Sequence, residues 1–249
     1  MLYHRLVSEL INVLLLAAGK GTRLRPITNS TPKCLVKIGE KPLLEFWLNI
    51  LDNPSIVDKI YINVCYLSEQ VVDFVKNHKL SNKIIVLQEK KLLGTGGTLI
   101  KLLKEIQNDK PMFFAHADNF TDFDINEFYN AHLCRPSGCG ITMMTFITDD
   151  PKSCGIVAIN EEGVVVDFYE KSDTNHGNLA NGAIFIIDQD FQMQIQNLKK
   201  IEDFSAEIIP KYLDNIYTYQ NKSYLLDIGT KEKLFQARKL FKNTRINDN

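Results

Sequence analysis

Cysteine is scarce in this chain and poorly arranged for cross-linking. There are five, an odd number, and Cys34, Cys65, Cys134, Cys139 and Cys154 form no CxxC pair. That argues against a disulfide framework and a structural zinc site, and it suits a reducing cytoplasm. Net charge is nearly absent too, at -1, so no basic surplus points to nucleic acid as the main partner. No apolar run is long enough to span a membrane. The apolar opening is interrupted by Glu9 and Asn12 and passes into a glycine-rich loop, so it reads as a short extension over 1–11 and then a strand, not as a secretory signal. Internal repeats, low-complexity tracts and linker-like stretches are missing as well. With 249 residues, 45% of them apolar, one domain over 1–249 is the expectation.

What is present first is a rhythm of strands and helices. Residues 13–17 are apolar at consecutive positions, as in a strand buried on both faces. A helix is expected over 42–51, a strand over 59–65, a helix over 68–78, a strand over 83–87, a helix opening at the glycines of LLGTGGTLIKLLKEI, and a strand over 112–115. This order predicts an α/β fold with an open, mostly parallel, Rossmann-like sheet flanked by helices. The second half changes character. Strands over 141–148, 155–159, 164–170 and 183–187 make a β-rich insertion, followed by a helix over 203–213, a short strand over 224–227 and a helix over 231–241.

The loop after the first strand carries the chemistry. Gly19 and Gly21, with the small Ala18, let the backbone approach a phosphate and offer its N–H groups. Arg23 and Lys33 add two cations, as a triphosphate needs before an anionic nucleophile can come near. Neither common phosphate fingerprint is present. Lys20 is not followed by the Gly-Lys-Ser/Thr of a P-loop, and Leu24 stands at the third glycine of GxGxxG.

The run AAGKGTRLRPITNSTPKCLVKIGEKPLLEF resembles the signature of the sugar-nucleotide nucleotidylyltransferases, LxxGxGxRLxPxTxxxPKxxxPxxxKP. Gly19, Gly21, Thr22, Arg23, Leu24, Pro26, Thr28, Pro32, Lys33, Lys41 and Pro42 fall in place, while Ala18 and Lys37 replace a usual glycine and proline. The resemblance extends over nearly the whole chain. QEKKLLGTGGT is similar to the segment that meets base and ribose, HADN to the family's GDN, FYEK to FxEKP, LANGAIF to NxG, and LLDIGT to WxDxGT.

The resemblance implies a set of roles. Leu16, Ala17, Ala18, Gly19, Gly21, Thr22, Arg23, Lys33, Gln88, Gly94 and Thr95 would bind the nucleotide. Asn119, Glu170, Lys171, Asn181 and Gly182 would bind the acceptor, and Asp118 and Asp227 would hold Mg2+. By the same resemblance, Arg23, Lys33, Asp118 and Asp227 would form the catalytic set. His116 stands where the family has a glycine or other small residue and is read as a contact near the phosphates, not as a general base.

The implied reaction joins a nucleoside triphosphate to a sugar 1-phosphate and releases pyrophosphate. LLGTGG, the compact length and the DIGT ending resemble guanylyltransferases acting on mannose or heptose 1-phosphates, and no hexapeptide-repeat domain is expected. Thymidylyl, uridylyl and cytidylyl transfer, a phosphorylated acceptor that is not a sugar, and a non-catalytic nucleotide-sugar sensor stay open. A dehydrogenase would give Lys33 and Asp227 nothing to do. No membrane partner is expected, and a homodimer is the default assembly.

Overall fold

The first strand, β1 (Ile11–Leu16), is apolar at nearly every position because both of its faces are covered. Val13 and Leu15 join one core cluster and Leu14 another, and all three are fully buried. The computed structural model describes residues 9–106 and 109–247, with side chains to 243. Of the extension expected over 1–11, residues 1–8 lie outside that range, and Ile11 already belongs to β1.

After β1 the chain makes three 3-10 turns and a small ribbon, β2 (Lys37–Ile38) with β3 (Lys41–Pro42), and enters α1 (Leu43–Ile50). It continues through β4 (Val57–Val64), α2 (Ser68–Lys76), β5 (Ile84–Gln88), α3 (Thr95–Glu105) and β6 (Met112–His116). These strands lie in the order β6-β1-β4-β5, all parallel, which is the wound half expected from the rhythm of the sequence.

The second half adds β7 (Asn119–Thr121), α4 (Ile125–Leu133), β8 (Ile141–Ile147), β9 (Gly155–Ile159), β10 (Val165–Glu170) and β11 (Leu179–Ile187). It ends with α5 (Gln189–Ile195), α6 (Phe204–Glu207), β12 (Ile216–Gln220), β13 (Leu225–Asp227) and α7 (Lys231–Asn247). β11 joins β6 antiparallel and carries β8 and β9, completing a nine-stranded sheet. β12 lies parallel to β8. β7 and β13 stand apart as a two-stranded antiparallel ribbon.

One core layer contains Trp47, Leu48, Val71 and Phe128 from α1, α2 and α4; the other contains Leu99, Ile195 and Phe204 from α3, α5 and α6. The mean α/β arrangement is thus as expected, with three differences. α4, α5, β12 and the short strands β2, β3 and β7 are additional to the expected elements. The helix expected over 203–213 stops at Glu207 and gives way to a 3-10 turn, Ile209–Lys211, because Pro210 has no N–H to continue it. The strand expected over 183–187 begins earlier, at Leu179, and its register shifts between Asn181 and Phe185. Among the described residues no helix is long and apolar enough to cross a membrane. All five cysteines are unpaired thiols.

Far from the loop after β1, an ionic cluster fastens α4 to the end of β11. His132 is buried; its Nδ1 lies 2.8 Å from Thr142 Oγ1 and its Nε2 3.3 Å from Asp188 Oδ1. Arg135, buried as well, pairs with the same carboxylate. Burial alone would push the Asp188 carboxyl up, but the His132 hydrogen bond and the Arg135 charge outweigh it and hold it below the usual carboxylate range. Such a group adds stability that is present above its unfolded value and fades as acid protonates it. Asp188→Asn takes the carboxylate from a buried guanidinium and is expected to cost about 3 kcal/mol at neutral pH. Denaturant melts should show the gap from the unsubstituted protein closing as the pH falls below about 4.

Candidate functional site

The site starts where β1 ends. The Ala17 N–H donates to Asn63 Oδ1 at 2.7 Å, which fixes the first residue of the loop against the end of β4. Asn63 is itself held: its Nδ2 donates to Glu89 Oε1 at 3.1 Å, and Thr98 Oγ1 donates to the same oxygen at 2.6 Å. All three side chains are buried, so they form a rigid polar base under the loop. Sequence reasoning missed them. It singled out the adjacent Gln88, whose exposed side chain donates instead to Ser68 Oγ at 3.2 Å.

Gly21 has a φ of 59°, in the left-handed region. A Cβ there would lie 2.9 Å from Thr28 Cγ2 and 3.2 Å from Lys33 Cβ, so glycine lets the loop fold back onto the segment bearing Lys33. Thr28 Oγ1 closes the turn by donating to Gly21 O at 2.7 Å. Leu24, at the place of the absent third glycine, is fully buried and joins the core cluster containing Val36, Phe120 and Ile228. Leu24 therefore anchors the loop, while the neighbouring Arg23 keeps a 70% exposed side chain, 3.8 Å from Asp227.

The two carboxylates come together through the β7–β13 ribbon, which sets Asp227 opposite Asn119, next to Asp118. Asp118 itself follows β6, and the neighbouring Ala117 N–H donates to Leu16 O at 3.0 Å, beside the loop. Lys33 Nζ sits between the carboxylates, 2.6 Å from Asp118 Oδ2 and 2.8 Å from Asp227 Oδ1. Its side chain is only 8% exposed. Burial disfavours the charged amine, but Asp118 and Asp227 outweigh that and hold its pKa above the ordinary lysine value. Burial likewise pushes Asp118 up, yet Lys33 and then His116 bring it below the usual range. The adjacent Cys34 thiol is pushed up to about 12, first of all by burial, so it is no nucleophile at neutral pH.

Leu16, Ala17, Gly19, Lys33 and Asp118 meet around a small pocket of about 20 Å³. The acceptor candidates lie on a far larger cavity of about 1130 Å³, lined by Arg23, His116, Asn119, Glu170, Lys171, Asn181, Gly182 and Asp227. Lys171 has a φ of 46° and its Nζ lies 3.4 Å from Glu170 Oε1. Arg23 and Asp227 thus belong to this cavity as well as to the loop's carboxylate cluster. Gln88, Gly94 and Thr95 line neither space; the Thr95 hydroxyl accepts from Phe204 N at 2.7 Å. Among the described residues no group of three or more His, Cys, Asp or Glu side chains is placed to hold a metal. Asp118 and Asp227 nonetheless converge on a single cation, the Lys33 ammonium, and their oxygens suit a hard divalent ion.

Known proteins resemble this chain in sequence and in fold. A putative mannose-1-phosphate guanyltransferase of Sulfolobus acidocaldarius is 28% identical over 223 residues, 88% of this chain and 60% of its own length. A D-glycero-alpha-D-manno-heptose 1-phosphate guanylyltransferase of Campylobacter jejuni is 28% identical over 227 residues, 90% of this chain and 97% of its own. Against several of the curated relatives it matches, the chain spans little more than half their length. Among solved structures, a putative glucose-1-phosphate thymidylyltransferase from Bacillus anthracis superposes with a TM-score of 0.80 at 22% identity, covering 92% of this chain and 94% of that one. The HddC protein of Yersinia pseudotuberculosis, complexed with GMP-PN, gives 0.76 at 24% identity, covering 93% and 100%. At these identities the two structures establish the fold. The family model described as nucleotidyl transferase matches residues 12–244, and with the loop, the carboxylate pair and the sheet in view, the chain belongs to that family.

Proposed function

We propose that this protein transfers a nucleotidyl group from a nucleoside triphosphate, GTP by preference, to a sugar 1-phosphate, giving a nucleoside diphosphate sugar and pyrophosphate. The observation that carries this is the convergence of Lys33, Asp118 and Asp227 at the junction of the glycine loop and the large cavity. One substrate would lie on each side of that junction. The guanylyltransferase names of the relatives from Sulfolobus acidocaldarius and Campylobacter jejuni support the choice of GTP and of mannose or heptose 1-phosphate.

In this reading a phosphate oxygen of the sugar phosphate attacks the α-phosphorus in line. The new P–O bond forms as the bond from the α-phosphorus to the bridging oxygen breaks, and the electron pair leaves with pyrophosphate. The nucleophile is already ionised at neutral pH, so no general base is needed. Catalysis then rests on alignment and charge neutralisation. Lys33 and Arg23 would offset the phosphate charge, Lys171 would hold the sugar phosphate, and Glu170, Asn119, Asn181 and Gly182 would receive the acceptor. The backbone from 16 to 22, with Gln88, Gly94 and Thr95, would receive the nucleotide. Mg2+ held by Asp118 and Asp227 would supply further charge neutralisation when bound. The unpaired cysteines suit work in a reducing cytoplasm.

The test is pyrophosphate release from GTP, dTTP, UTP and CTP, each with mannose, heptose and glucose 1-phosphates in the presence of Mg2+. GTP with mannose or heptose 1-phosphate should give the fastest release. Rates no higher than those without acceptor, across the whole panel, would sink the proposal and favour a nucleotide-sugar sensor.

A further inference from the structure

The glycines of the 94–97 turn suggest close approach by a ligand, yet part of what approaches them is the protein's own chain. A Cβ on Gly94 would lie 2.3 Å from Glu202 O, and one on Gly96 would lie 2.6 Å from Ile201 Cγ2. Gly96 N–H donates to Glu202 O at 2.9 Å, and Phe204 N–H donates to the Thr95 hydroxyl at 2.7 Å. The segment leading into α6 therefore lies directly on the turn that opens α3. It is also stiff. Asp203 caps α6 by accepting from Ala206 N–H at 2.8 Å, and the Glu207 carboxylate accepts from the N–H groups of both Glu202 and Asp203 at 2.7 Å.

The other side of α6 reaches the acceptor cavity. Ser205 lines it, and Ser205 Oγ accepts from Asn181 Nδ2 at 3.3 Å. Asn181 opens the irregular stretch of β11. Its Oδ1 accepts from Ala183 N–H at 2.9 Å, Ala183 has a φ of 54°, and Gly182 O accepts from Asn119 Nδ2 at 3.2 Å. The bulge thus has two tethers. One runs to Asn119, beside Asp118; the other runs through Ser205 and α6 to the nucleotide turn.

We infer that Ser205 is a positioning residue through which α6 couples occupancy of the nucleotide turn to the shape of the acceptor bulge at Asn181–Ala183. This rests on the proposed function, in which the two substrates meet across the site. A nucleotide seated on Gly94 and Thr95 steadies the strap that lies on them. Ser205 then holds the Asn181 amide in one orientation, and the acceptor binds to a bulge already formed.

The Ala183 N–H is a built-in reporter, since Asn181 accepts its hydrogen bond. Hydrogen exchange of peptides spanning 179–187 is measured with and without a saturating concentration of whichever of GTP, dTTP, UTP and CTP binds most tightly, for the unsubstituted protein, Ser205→Ala and Ser205→Thr. Nucleotide should slow exchange there at least about threefold in the unsubstituted protein and in Ser205→Thr, but leave it unchanged in Ser205→Ala. The alanine variant should keep its nucleotide affinity within about twofold, while its KM for mannose 1-phosphate rises about tenfold, the loss of one hydrogen bond. Equal slowing in all three proteins, or slowing in none while nucleotide binds, overturns the coupling. A parallel loss of melting temperature, nucleotide affinity and acceptor affinity in Ser205→Ala also overturns it, in favour of a purely structural serine. Failure of every triphosphate to bind brings down the proposed function itself, and the coupling with it.

Discussion

Lys33→Met is expected to slow pyrophosphate release about a thousandfold, roughly 4 kcal/mol at the transition state. Methionine keeps most of the length and apolar volume of the stem and removes only the charge. The magnitude follows from where the ammonium stands. It is nearly buried, and both carboxylates address it within hydrogen-bonding distance. A cation in such a place acts on a developing negative charge with little screening by water. Part of the cost falls on the fold, about 3 kcal/mol, because methionine leaves the Asp118 and Asp227 carboxylates without the cation between them, although the loop stays pinned by Leu24 and by the Thr28 bond to Gly21. Single-turnover rates and a thermal melt, measured on the same preparation, separate the two effects. A rate within tenfold of the unsubstituted enzyme would remove Lys33 from the catalytic set.

Asp227→Asn should lose activity on a similar scale with less damage to the fold. The side chain is 53% exposed, and the β7–β13 pairing that places it uses backbone groups an asparagine also has. Lys33 keeps its 2.6 Å contact with Asp118 in this variant. The double variant, Lys33→Met with Asp227→Asn, should therefore be little worse than either single one, because the two residues act as one unit. Rate losses that multiply would mean the residues work independently, and the shared cluster would not be the centre of the chemistry.

The parts of this architecture legible in the sequence are those with strong local signals. β1 betrays itself by consecutive apolar residues, because helices cover both faces of the sheet there. α4 carries a comparable signal: Ile125, Phe128, Tyr129 and His132 are all buried at helical spacing behind an Asp124 cap. β12 is harder, since strands that lie in a sheet by pairing with a distant partner need not alternate cleanly. The family resemblance singled out Lys33, Asp118 and Asp227, but nothing local says that the carboxylates share one ammonium. That follows from a ribbon of three-residue strands far apart in sequence. Gln88 drew attention as the polar residue in a suggestive segment, yet Glu89 is the one that turns inward to Asn63 and Thr98. Successive side chains of a strand point to opposite sides, so an error of one position at its end exchanges a surface group for a buried one.

The β7–β13 ribbon also sets an order in time. The glycine loop, Lys33 and Asp118 all lie in the first half of the chain, whereas Asp227 comes more than a hundred residues after Asp118. During synthesis the wound half of the sheet can pair while its second carboxylate has not yet been made. Until β13 lies down beside β7, Lys33 has only Asp118 to hold it, and the wall of the large cavity formed by 222–240 is missing. On the proposed mechanism, a nascent chain is able to fold around its glycine loop and still be chemically silent, and β13 is the strand that completes the site.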